Sequence, residues 1–170
     1  DNRARLLREL GLRDAPRPVI LCPGAEFGPA KRWPAEHYAA VARQLVAAGR
    51  PVWLLGSPKD REPCDAIAAA APGVANLAGR TRLIDAVDLL SLADAVVCND
   101  SGLMHVAGAV GARVVAVFGS TSPAFTPPLG PGAEVLRLGL DCSPCFEREC
   151  PLGHLRCLVD LGPERVLARL

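Results

Sequence analysis

Ala95-Val96-Val97-Cys98-Asn99-Asp100-Ser101-Gly102-Leu103-Met104-His105 runs from an unbroken apolar segment, across polar residues, into a helical pattern. An apolar run this short reads as a strand buried on both faces. When such a strand feeds a helix through a tight turn, the first helical amides are left unpaired. The positive end of the helix dipole then lies at the strand's carboxyl edge. Open α/β sheets bind ligands at that edge. Here Ser101 or Asp100 can cap the helix, and Gly102 places no Cβ between the backbone and an approaching phosphate. A buried strand followed by an ordinary capped helix accounts for the same residues equally well.

The alternation repeats on both sides of this stretch. Strands are expected at residues 19–22, 52–55, 76–79, 95–98, 114–118 and 135–138. Helices are expected at 5–12, 60–71, 83–93 and 103–110. A further helix has Pro34 at its first position and a stripe of Tyr38, Val41, Leu45 and Ala48, ending at Gly49. Pro16 and Pro18 break the pattern ahead of the first strand. Short apolar strands alternating with helices imply a Rossmann-like α/β fold, a parallel sheet with helices on both faces. At 170 residues the chain is expected to be one such domain, spanning 1–170.

Composition narrows the function. A net charge of +1 with 22% charged residues gives no electrostatic footing for nucleic acid. Arg113 splits the longest apolar stretch, 106–118, well short of a membrane span. The chain opens on Asp1 without an initiator Met or the apolar core of a signal peptide, so it is expected to begin inside a longer protein. Seven cysteines, unevenly spaced, do not read as a disulfide framework and fit a reducing, cytoplasmic setting.

Three loops converge on the carboxyl edge of the expected sheet. The first, Pro23-Gly24-Ala25-Glu26-Phe27-Gly28-Pro29-Ala30-Lys31-Arg32-Trp33, matches neither the dinucleotide Gly-x-Gly-x-x-Gly nor the Gly-Lys-Ser/Thr ending of a triphosphate loop. It does carry Lys31 and Arg32, which are either solvated cations or a point charge and a fork for a diphosphate. In Gly56-Ser57-Pro58-Lys59-Asp60, Ser57 and Asp60 can cap the next helix or meet a ligand hydroxyl. The hydroxyls of Ser120-Thr121-Ser122 can line the same crevice. His105, one turn after Ser101, is either a phosphate donor or acid, or a histidine satisfied by core polar groups. No Gly-x-Ser-x-Gly elbow supports hydrolase chemistry. In the tail, Cys142-Ser143-Pro144-Cys145 with Cys150, His154 and Cys157 has the residue types of a structural zinc site, although the gaps match no standard finger. Unliganded thiols are the favoured reading, and disulfides formed in air are a third.

Taken together, these motifs resemble the ADP-heptose:lipopolysaccharide heptosyltransferase family of GT-B glycosyltransferases. The resemblance runs from about Val19 to the C-terminus through the three loops, Asn76-Leu77-Ala78-Gly79, Asn99 to His105, Phe118-Gly119-Ser120-Thr121-Ser122-Pro123 and Cys142-Ser143-Pro144-Cys145-Phe146. It implies an inverting enzyme that moves L-glycero-D-manno-heptose from ADP-heptose to the first heptose of the lipopolysaccharide inner core. This chain would be its C-terminal, donor-binding half, with the N-terminal acceptor domain and the general base outside it. By the same resemblance Lys31 is a diphosphate cation, and Ser101, Gly102 and Leu103 are backbone donors. Asp100 and His105 contact the donor's sugar or phosphate, while Ser57 and residues 76–79 lie near the adenosine. No cofactor is expected, and the acceptor is lipid-linked, so the protein is expected in the cytoplasm or peripherally at the inner membrane's cytoplasmic face. Alternatives are a non-catalytic nucleotide-binding module, or the donor half of another nucleotide-sugar enzyme such as heptosyltransferase I or a peptidoglycan glycosyltransferase.

Overall fold

Strands β1 (Val19–Cys22), β2 (Val52–Leu54), β3 (Ala75–Asn76), β4 (Ala95–Asn99), β5 (Arg113–Val117) and β6 (Glu134–Leu136) form one sheet in the order β3-β2-β1-β4-β5-β6. Every pairing is parallel. The computed structural model describes residues 1–12 and 17–170, so Pro16 lies outside the described residues. Among the described residues seven helices surround the sheet: α1 (Asn2–Glu9), α2 (Ala35–Ala47), α3 (Arg61–Ala70), α4 (Leu83–Leu90), α5 (Gly102–Ala109), α6 (Arg156–Val159) and α7 (Pro163–Leu167). None is long and apolar enough to cross a membrane.

Alternate residues of each strand enter two separate cores, because side chains along a strand point to opposite faces. Val19, Leu21, Val97 and Val115 pack with Tyr38 and Val41 of α2, Ile67 of α3 and Val166 of α7. Ile20, Cys22, Val96 and Val114 pack with Leu6 of α1, Leu89 of α4 and Met104 of α5. Helices therefore cover both faces, as the unbroken apolar strands require. Fully burying each such aliphatic side chain contributes about 1.5–3 kcal/mol.

The strand order reverses between β1 and β4, and the loops that leave these two neighbours run in opposite directions from the sheet. A crevice opens between their carboxyl ends. Cys22 and Cys98 are register partners there. Both thiols are buried, and desolvation pushes each far above its ordinary value. Burial likewise pushes Cys64 up to about 12. These three cysteines act as small core hydrophobes.

Several boundaries differ from the sequence expectation. The first helix starts at Asn2 rather than residue 5, because Asp1 accepts a hydrogen bond from the Arg3 amide and caps it. Pro34 is the N-cap of α2 rather than its first residue, and Ala48 is exposed beyond its end. The expected strand at 76–79 shrinks to Ala75–Asn76, after which the Asn76 side chain accepts from the Ala78 amide and turns the chain. Loop 23–33 contains a 3-10 turn at Pro29–Lys31, and the tail folds into α6, whose four residues carry too few apolar positions to show a period.

Candidate functional site

A cleft of about 660 Å3 opens at the switch point, and Lys31, Ser57, Asp100, Ser101, Gly102, Leu103 and His105 all line it. These seven residues come from separate segments of the sequence, and the fold brings them to one rim. One buried residue organises the rim without facing the cleft. Asn99, at the end of β4, accepts through Oδ1 from the Trp33 amide at 3.1 Å and the Tyr38 hydroxyl at 2.9 Å. Its Nδ2 donates to the carbonyls of Pro23 at 2.8 Å and Gly24 at 3.2 Å. This side chain ties the loop after β1 to β4, and its own polar atoms are satisfied in a fully buried position.

The next residue, Asp100, is 3% exposed and works on the cleft side. Its Oδ2 lies 3.0 Å from Lys31 Nζ and accepts from the Thr121 hydroxyl at 2.6 Å and the Thr126 hydroxyl at 3.0 Å. Burying a carboxylate this deeply is costly without such partners. Lys31 is set by the 3-10 turn and also stands 4.9 Å from the centroid of the Phe27 ring, which Arg148 approaches to 5.3 Å. The turn is backed by the tail: the Ala30 amide donates to the Arg148 carbonyl at 3.1 Å. Gly28 is required there, since a Cβ would fall 2.6 Å from that carbonyl oxygen.

Ser101 is the N-cap of α5 but makes no side-chain cap bond, and its Oγ is buried without a partner. Asp100 is engaged elsewhere, so neither of the residues expected to cap this helix does so. The first amides of α5 are thus left to the cleft, where a Cβ on Gly102 would meet nothing within 4 Å. Half-buried His105 lies one turn further on.

On the opposite side, Asp60 accepts through Oδ2 from the Ser57 amide at 2.8 Å and its hydroxyl at 3.0 Å. The capping reading therefore holds for this pair, although both residues also line the cleft. Leu55, Gly56, Thr81, Arg82, Leu83 and Ala86 complete that wall. Arg82 is held by Asp85, which accepts from its amide and guanidinium at 3.0–3.1 Å.

Three expectations need correction. Arg32 does not face the cleft as a second cation, because its guanidinium donates to the Ala25 carbonyl at 3.0 and 3.1 Å. Residues 76–79 do not line the cleft; backbone bonds from Leu77 to Leu54 and from Gly79 to Gly56 hold them behind β2, and Thr81 and Arg82 reach the cavity instead. Of the 120–122 hydroxyls, only Thr121 reaches the Asp100 cluster; Ser120 Oγ is buried without a partner and Ser122 Oγ accepts from the Ala124 amide. Thr126 and Phe27 were missed, since a Thr in a Pro-rich loop and a Phe between glycines carry no periodic signal.

The tail thiols Cys142, Cys145, Cys150 and Cys157, with His154, border a separate cavity of about 20 Å3. All seven cysteines are free. Backbone amides, Leu155 first, lower the Cys150 thiol, and burial raises Cys157. Among the described residues no three His, Cys, Asp or Glu side chains are gathered so that they could hold a metal ion.

Known proteins share both sequence and fold with this chain. Residues 2–156 match the profile of glycosyltransferase family 9 (heptosyltransferase). Lipopolysaccharide heptosyltransferase 2 of Salmonella typhimurium and that of Escherichia coli are each 48% identical over 160 residues, covering 91% of this chain and 46% of theirs. The structure of E. coli ADP-heptose lps heptosyltransferase II superposes with a TM-score of 0.85 at 42% identity, covering 99% of this chain and 49% of that one. The chain thus spans about half the length of the curated relatives it matches. Its six-stranded parallel sheet, its switch-point cleft and its sequence place it in glycosyltransferase family 9, the heptosyltransferases.

Proposed function

We propose that this chain is the donor-binding half of an inverting GT-B heptosyltransferase, which moves L-glycero-D-manno-heptose from ADP-heptose to the lipopolysaccharide inner core. The observation that carries the reading is the pairing of Lys31 and Asp100 beside the uncapped start of α5, all on the rim of one cleft. A leaving nucleoside diphosphate gains negative charge as the glycosidic bond breaks. A lysine and free helical amides stabilise such charge best where water is scarce. Lys31 and the Gly102 and Leu103 amides would take the diphosphate, with His105 beside it. Asp100 would accept from sugar hydroxyls, while Ser57 and the wall of Leu55, Leu83 and Ala86 would take the nucleoside. The names of the relatives support heptose as the sugar and lipopolysaccharide as the acceptor.

Inverting transfer also needs a base for the acceptor hydroxyl. On this reading that base and the lipid-linked acceptor belong to a second domain outside these residues, working at the cytoplasmic face of the inner membrane. On this reading no cofactor is expected.

Calorimetric titration with ADP, UDP and GDP tests the donor assignment. ADP is expected to bind most tightly, and ADP-heptose to compete with it. Undetectable ADP binding would sink the reading, and a preference for UDP would move the chain to another nucleotide-sugar enzyme. The isolated 170 residues are expected to bind donor without turnover. Robust heptosyl transfer by them alone would overturn the division of labour.

A further inference from the structure

We infer that Thr121 and Thr126 are positioning residues for the sugar part of the donor, acting through Asp100; this rests on the donor-site reading above. All three partners of the Asp100 carboxylate converge on one oxygen. Lys31 Nζ and the two threonine hydroxyls meet Oδ2, and Oδ1 accepts from nothing among the described residues. Nor is Oδ1 sealed away, since the buried polar side-chain atoms without partners are Ser101 Oγ and Ser120 Oγ. Because Asp100 lines the cleft, Oδ1 is the oxygen left for a ligand.

An isolated carboxylate turns readily about its last bond and exchanges its two oxygens. Here two hydroxyls from one loop remove that freedom. The loop is itself fastened. The Ser120 amide donates to the Ala30 carbonyl at 3.3 Å, next to Lys31, and the Thr126 amide donates to the Ser122 carbonyl at 3.2 Å. Thr126 Oγ1 has one proton, and Asp100 at 3.0 Å is the better acceptor than the Ser122 carbonyl at 3.4 Å.

A bound nucleotide sugar would feel this arrangement in two ways. With Oδ2 satisfied from behind, Oδ1 presents a fixed acceptor to a sugar hydroxyl. With two hydroxyls sharing the anionic oxygen, Lys31 is not its sole partner and keeps protons for the diphosphate. The threonines therefore act chiefly on the affinity for the sugar, and ADP lacks the group they help to hold.

The test compares dissociation constants for ADP and ADP-heptose, measured by calorimetry on the intact protein. Thr121→Val and Thr126→Val keep shape and remove one hydroxyl each. Each is expected to cut the affinity for ADP-heptose relative to ADP by roughly tenfold, the scale of one hydrogen bond to a charged group, while ADP binding moves about twofold or less. Thr121→Ser and Thr126→Ser keep the hydroxyl and are expected to preserve the wild-type ratio, which keeps the idea testable if a valine variant fails to fold. Parallel losses for both ligands would show that the loop only supports the cleft, and an unchanged ratio would show that the hydroxyls do not orient Asp100; either result overturns the inference and leaves the donor-site reading standing. Absence of ADP binding by the wild type would remove both.

Discussion

On the wall built by the loops after β1, β4 and β5, the cleft meets Lys31, Asp100 and Thr126, whereas on the wall built by the turn after β2 and the start of α4 it meets Leu55, Gly56, Leu83 and Ala86. The first wall is an interlocked set of charges and hydroxyls around one buried carboxylate. The polar groups of the second are mostly occupied with each other, Ser57 with Asp60 and Arg82 with Asp85, leaving small and apolar surface. A wall of the first kind discriminates by charge and hydroxyl geometry. One of the second kind takes a flat apolar body and is largely indifferent to charge. The difference divides a nucleotide sugar between the walls, and each wall can be damaged separately.

The largest effect is expected at the residue that ties two segments of the charged wall together. Asn99→Ala leaves the Trp33 amide and Tyr38 hydroxyl without their shared acceptor and the Pro23 and Gly24 carbonyls without a donor. Several buried polar groups left unpaired should cost about 3 kcal/mol of folding stability, read as a lower denaturation midpoint at an unchanged slope. A loss within experimental error would mean that the loop after β1 is held by other contacts.

Next in size is Lys31→Ala, a lesion of the charged wall alone. Removing a charge-assisted partner of the diphosphate should weaken ADP by about 2 kcal/mol, or roughly thirtyfold, with adenosine almost unaffected. Equal losses for ADP and adenosine would place Lys31 in the scaffold rather than the site. Gly24→Ala, in the loop after β1, supplies the contrast by acting on Asp60 of the other wall. The new Cβ would overlap the Asp60 carboxylate, which must move and release the Ser57 amide. The expected loss is about 1 kcal/mol in binding, the same for ADP and adenosine. A loss confined to ADP would erase the distinction between the walls.

Much of the charged wall was legible in the sequence because its parts sit where local rules are strong. The run Ala95 to Cys98 could only be a buried strand, and the residues next in the chain after such a strand land at its carboxyl edge. The same rule put Lys31 and Asp100 at that edge although 69 positions separate them in the chain, but it left Lys31 open as a solvated cation, and only the family resemblance implied its part in the cleft. Their ion pair was not readable, nor was the role of Thr126, because both depend on how loops close through space. Arg32 shows the opposite failure. Its type and position suited a phosphate, yet a backbone carbonyl of its own loop captured it. The second wall was hardest to see. Arg82 and Leu83 reach the cavity only because β3 ends after two residues and its turn brings α4 round to the rim.

The smallest expected effect sharpens the comparison through pH. Hydrogen bonds from the Arg82 side chain, then from its amide, hold the Asp85 carboxyl well below the usual carboxylate range. A folded-state value below the unfolded one means that the contribution of Asp85 is fully present above about pH 4 and is lost as pH falls towards the folded value. What declines as pH falls below about 4 is therefore folding stability, and the denaturation midpoint of the wild type is expected to fall modestly there. Asp85→Asn cannot hold Arg82 through a carboxylate at any pH, so its midpoint should start lower at neutral pH and show a flatter acid profile. Superimposable profiles for the two proteins would mean that Arg82 keeps its place without Asp85, and that α4 packing alone shapes the nucleoside wall.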